Sequence, residues 1–117
     1  VGYGADPVAV TERALSWLGP QGIAVRGNHD AAAAGDDTVL EGMSVDAAAA
    51  IRWTRGVIDA AARAALAELP LTVRDHGALF VHAGARRPAA WDYVTTASEA
   101  ERALRAVEDR IVLSGHV

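Results

Sequence analysis

A chain of 117 residues with 51% hydrophobic residues, 22% charged residues and a net charge of −4 has the composition of one soluble globular domain, not of a disordered segment. No apolar run approaches the roughly 18–20 residues of a membrane span, no basic leader with an apolar core opens the chain, and the eleven cations, all arginine, are scattered rather than gathered into a nucleic-acid groove. The absence of cysteine excludes disulfides and thiolate metal sites and fits a cytoplasmic protein.

Taken in chain order, Asp6-Pro7 reads as the N-cap and first residue of a helix that runs through Val8, Val10, Leu15 and Leu18 to a stop at Gly19-Pro20. Residues 23–26 are expected as a short buried strand ending in Arg26, a solvated strand-end residue. Residues 27–35 are expected as loop with about one helical turn, where Asp30 would cap residues 31–34. Residues 36–43 are polar and carry no clear assignment. Ser44 is the next N-cap, and the alanine-rich stretch to Leu69 is strongly helical, divided near Gly56 and Asp59 and ended by Pro70. Trp17 and Trp53 fall on helices and are expected in the core. Residues 71–74 and 78–82 read as strands joined at Asp75-His76-Gly77, a hairpin signal. A polar loop follows over 84–93. Ser98-Glu99-Ala100-Glu101 resembles a capping box that opens a helix to Val107. Residues 110–113 form the last predicted strand, followed at once by Ser114-Gly115-His116.

Three of the four histidines lie just after an apolar strand: His29 after "IAVRGN", His82 after "ALFV" and His116 after "RIVLSG". In α/β sheets, ligand sites form outside the carboxyl ends of strands, so such histidines can converge. Any one of them alone is more simply a hydrogen-bonded surface residue. Three in the same topological position, each beside a glycine or small residue and one beside Asn28, raise the weight of a metal site. The donor set of imidazole nitrogen and amide oxygen suits a borderline divalent ion such as Mn, Fe, Zn, Co or Ni. His76 sits in the hairpin turn, at the opposite end, and reads as a surface residue. No glycine-rich nucleotide loop is present: there is neither a G-x-G-x-x-G nor a lysine.

The motifs "GNHD" (27–30), "FVHAG" (80–84) and "SGHV" (114–117), in this order and spacing, resemble those of the calcineurin-like metallophosphoesterases. "VGYGADP" at the start, "IRWTR" (51–55) and "ARRPAAWDYV" (85–94) are similar to a bacterial branch of predicted phosphodiesterases, so the likeness spans nearly the whole chain. It implies an α/β fold that is part of a four-layer αββα sandwich, with residues 1–117 as a single partial domain truncated at both ends. The family's D-x-H and G-D motifs would precede Val1, and the last His of G-H-x-H would follow Val117. Mapped residue by residue, Asn28, His82 and His116 correspond to ligands of one ion of a divalent pair. His29 corresponds to the catalytic histidine. An Asp that orients this histidine in some branches falls on Gly2, with Asp6 the nearest substitute.

The resemblance implies a metal-dependent phosphoesterase that hydrolyses a small or nucleotide-type phosphoester with a dimetal-activated hydroxide. Two cations answer the central difficulty of this chemistry, since an anionic phosphodiester repels hydroxide. The leaving oxygen then needs a proton, which a histidine titrating near neutrality supplies. Arg86 and Arg87 are candidate phosphate contacts, and Trp91 and Tyr93 are candidates to flank a ring of the substrate. Two other readings stand beside the enzyme: a non-catalytic scaffold of the same fold, and a piece inactive by itself for want of half its ligands.

Overall fold

The computed structural model describes residues 1–19 and 22–116 as a mixed α/β protein with six α-helices and one three-stranded sheet. Its contacts form two compact units, one holding Val1–Ile23 and Asn28–Leu69, the other Ala24–Gly27 and Pro70–Val117. Pro20 and Val117, which the sequence reading used, lie outside the described residues.

The first unit is helical. Helix α1, Pro7–Leu18, begins with Asp6 as N-cap and proline at its first position, where a missing N–H costs nothing, although the Asp6 carboxylate makes no cap bond. Its inward stripe is Pro7, Thr11, Leu15 and Leu18, spaced as one helical face. The buried Thr11 hydroxyl donates to the Pro7 carbonyl at 2.6 Å. Trp17 lies off this stripe and is 74% exposed, with the Arg13 guanidinium 4.9 Å above its ring. Trp53 is 49% exposed for the same reason: the buried stripe of its helix is Ala47, Ala48, Ile51 and Thr54. Neither tryptophan is the core residue expected from hydropathy.

The helical turn expected within residues 27–35 is present and longer than expected, as helix α2, Asn28–Ala34, whose Ala31, Ala32 and Ala33 are buried. Alanine favours the helix, and its small side chain lets neighbouring helices approach closely. Asp30 is therefore inside the first turn, where a carboxylate suits the helix dipole, and not an N-cap. Helix α3, Asp37–Glu41, occupies the unassigned segment and is capped by Asp36, which accepts from the Val39 N–H. Helix α4, Val45–Val57, is capped by Ser44, and α5, Ala60–Glu68, by Asp59, as the sequence indicates. Ala32, Ala33, Leu40, Ala48, Ile51, Ile58 and Leu66 form the core of this unit.

Residues 23–26 are not a strand: Arg26 N–H, in the second unit, donates to the Pro70 carbonyl at 2.7 Å, and among the described residues the sheet holds only the three strands that follow. Arg26 is half-buried, with its Nε shielded from water, rather than solvated. Strands β1, Thr72–Asp75, and β2, Ala78–Val81, form an antiparallel hairpin with Asp75 opposite Ala78. His76 (φ 47°) and Gly77 (φ 76°) both take positive φ, the geometry of a two-residue hairpin turn that matches strand twist. The His76 ring meets the Asp75 carboxylate there. Strand β3, Val112–Ser114, pairs parallel with β2, with Leu79, Phe80 and Val81 opposite Val112, Leu113 and Ser114. Helix α6, Ala97–Arg105, starts two residues earlier than the expected Ser98 cap: Thr96 accepts from the Glu99 N–H, and Glu99 returns to the Thr96 N–H. Ala103 of this helix packs with Leu79, Val81 and Ala85.

Candidate functional site

The parallel pairing of β2 and β3 puts their carboxyl ends side by side. His82 directly follows β2 and His116 follows β3 by two residues, and their ring centroids are 4.9 Å apart. The backbone fixes this approach, since the N–H groups of Gly115 (3.1 Å) and His116 (2.8 Å) both donate to the His82 carbonyl. Gly27 lies against the His82 ring: a Cβ there would fall 2.9 Å from Cε1 and 3.0 Å from Nδ1, so only glycine leaves the imidazole its place.

The loop between these histidines folds back on them. Gly84 N–H donates to the Asp92 carbonyl at 3.0 Å, and Val94 N–H to the His116 carbonyl at 3.3 Å. A 3₁₀ turn, Pro88–Ala90, ends at Trp91, which holds a left-handed backbone (φ 56°) uncommon for a bulky residue. This turn presents the Trp91 ring edge-on to His82 at 6.1 Å and stacks Tyr93 on His116 at 3.8 Å and 24°. The Trp91 Nε1 is buried and has no acceptor among the described residues. Partial burial pushes the His116 pKa below its usual value, opposed by a hydrogen bond to the Trp91 backbone. His116 is thus mainly neutral at neutral pH, the form that offers a ring nitrogen to a metal. Arg87 donates to both oxygens of Asp92, at 2.9 and 3.2 Å, while Arg86 is exposed.

Asn28 and His29 open α2 in the first unit. There the Tyr3 ring lies 4.6 Å from the His29 ring. Gly2, at φ 132°, packs its α-carbon against the same imidazole, and a Cβ on it would overlap His29 Nδ1. The position that the resemblance gives to an orienting Asp therefore has no room for a side chain while His29 keeps this rotamer. Asp6 is exposed at the start of α1.

Two imidazoles bound to one ion at about 2.1 Å and near-tetrahedral angles have ring centroids about 5 Å apart. The His82–His116 pair fits that separation. Among the described residues no three His, Cys, Asp or Glu side chains converge, so the pair alone is an incomplete ligand set.

Comparison with protein-family models, with curated proteins and with solved structures found no match to this chain. Sequence reasoning missed Tyr3, which no periodicity marks and which only its contact with the His29 ring reveals.

Proposed function

We propose that this chain belongs to a calcineurin-like, metal-dependent phosphoesterase that hydrolyses a small or nucleotide-type phosphoester in the cytoplasm. The observation that carries the reading is the parallel β2–β3 pair, which delivers His82 and His116 to one end of the sheet at 4.9 Å. The three motifs in order support it, and the four-layer αββα sandwich is the architecture it calls for.

In this reading His82 and His116 would hold one of two divalent ions (Mn, Fe, Zn, Co or Ni), and the motif resemblance alone adds Asn28 to their ligands. Bound ions would supply charge neutralisation at the phosphoryl oxygens and a water of lowered pKa. The chain's own residues do the rest. Tyr93 stacks on the His116 ring and shields one of its faces. Gly27, with no side chain, leaves the His82 ring its place. His29, held by Gly2 and Tyr3, gives a proton to the leaving oxygen.

Titration of the chain with Mn²⁺ and with Zn²⁺ by calorimetry tests the ligand assignment. Binding should weaken at least tenfold in His82→Ala and in His116→Ala, and equal affinity in both variants would remove the metal site. In a protein carrying this chain together with the D-x-H and G-D motifs, His29→Ala should lose most turnover of bis(p-nitrophenyl) phosphate while metal content holds. Metal loss equal to that of His82→Ala would show that the role given to His29 is wrong.

A further inference from the structure

Beside the histidine pair the second unit holds a cleft of about 350 Å³, lined by Arg86, Arg87, Tyr93, Glu99 and Arg102 with the backbone of Gly84. Three of the eleven arginines thus face one cavity in a chain whose net charge is −4. The carboxylates on its wall are already engaged. Asp92 holds Arg87, and Glu99 Oε2 accepts from the N–H and hydroxyl groups of both Thr95 and Thr96 at 2.9–3.1 Å. The Thr95 N–H, seconded by the two threonine hydroxyls, holds Glu99 below the usual carboxylate range, so it stays ionised and committed to the start of α6. Arg102 donates only to the neutral Ser98 hydroxyl, at 2.7 Å, and Arg86 has no ion pair among the described residues. Two guanidinium groups therefore keep a charge that no touching carboxylate offsets. Their planar forks match phosphoryl oxygens in pairs. Tyr93 is the shared wall: it lines the cleft and stacks on His116, so an occupant sits next to the proposed metal ligand.

We propose that this cleft binds a second phosphoryl group of the substrate, held by Arg86 and Arg102. The substrate class is then a phosphoester with a further phosphate, such as a nucleoside polyphosphate, in preference to a singly charged ester with a neutral tail. The word substrate rests on the phosphoesterase reading above; the anion site does not.

The test is calorimetric titration of the metal-free chain, in EDTA at low salt, with inorganic pyrophosphate. Arg86→Gln and Arg102→Gln should each weaken binding ~10-fold, as expected for loss of a charge-assisted bond, and the double variant should weaken it further. Arg63→Gln, an exposed arginine of α5, should bind as the wild-type chain does, and circular dichroism confirms folding of each variant. No pyrophosphate binding by the wild-type chain, or equal binding by Arg86→Gln and Arg102→Gln, overturns the site. Equal affinity for malonate overturns the phosphoryl assignment in favour of a carboxylate. Because no metal is present, failure here leaves the His82–His116 ligand test untouched, and failure of that test leaves this one untouched.

Discussion

At the scale of single residues, glycine sets where two imidazoles can lie. Gly2 combines a positive φ of 132° with an α-carbon packed on His29, so alanine there is strained twice, by its own backbone and by collision with Nδ1. Gly2→Ala should cost of order 1–3 kcal/mol in urea unfolding and move the His29 side-chain resonances. Gly4→Ala, whose added Cβ meets nothing nearer than the Asp6 nitrogen at 4.0 Å, should do neither. His116 gives a pH prediction. Burial lowers its folded pKa below the ordinary 6.5, so below that pH the unfolded chain binds more protons than the folded one. Its contribution is therefore fully present above about pH 6.5 and is lost as pH falls through the folded value. Urea midpoints at pH 7 and pH 5 should show this loss, and His116→Gln should reduce the difference.

At the scale of elements, α2 carries Asn28 and His29, and its far end is pinned by one side chain. Arg55 Nε donates to the Ala32 carbonyl at 2.6 Å, and Nη1 pairs with Asp37 at 2.8 Å. Replacing Arg55 with Met keeps much of the stem and removes this bond and the Asp37 pair, while the Gly35 N–H still donates to the Ala32 carbonyl at 3.1 Å, so the cost is on the order of 1 kcal/mol. Hydrogen exchange should localise the loss to α2 and α3, and uniform loss of protection would show that Arg55 acts only through global stability. Elements of this kind were unevenly legible. Ser44, Asp59 and the His76-Gly77 turn were readable because caps and positive-φ turns depend on local chemistry. Only the second half of helix α2 was legible, because asparagine, histidine and aspartate open it, and its alanines gain their burial from helices far along the chain. The supposed strand at 23–26 had the hydropathy of one, but ladder formation depends on a partner that sequence alone does not supply. Trp17 and Trp53 misled for a similar reason, since the stripe that docks each helix is made of smaller residues.

At the scale of the molecule, alanine-rich cores leave stability dependent on small terms. Thr54 illustrates this: it is 1% exposed, and its hydroxyl has no hydrogen-bond partner among the described residues. Thr54→Val should stabilise the chain by about 1 kcal/mol, since it removes a buried hydroxyl that gains nothing for its lost hydration. The candidate site was legible to the extent that β2 and β3 could be foreseen as strands ending in histidine. Their parallel pairing, which makes His82 and His116 neighbours, is a matter of topology that no local pattern encodes. Metal linkage joins this topology to the stability of the whole. An ion that binds only the folded chain adds about 2.7 kcal/mol at one hundred times its dissociation constant. Thermal melts with Mn²⁺ or Zn²⁺ should therefore shift upward for the wild-type chain, and for Gly4→Ala and Arg63→Gln alike. His82→Ala and His116→Ala should lose the shift while keeping the metal-free melting temperature near that of the wild type, because both rings are partly exposed. A shift that survives in both variants would place the bound ion elsewhere, and with it the chemistry assigned to this end of the sheet.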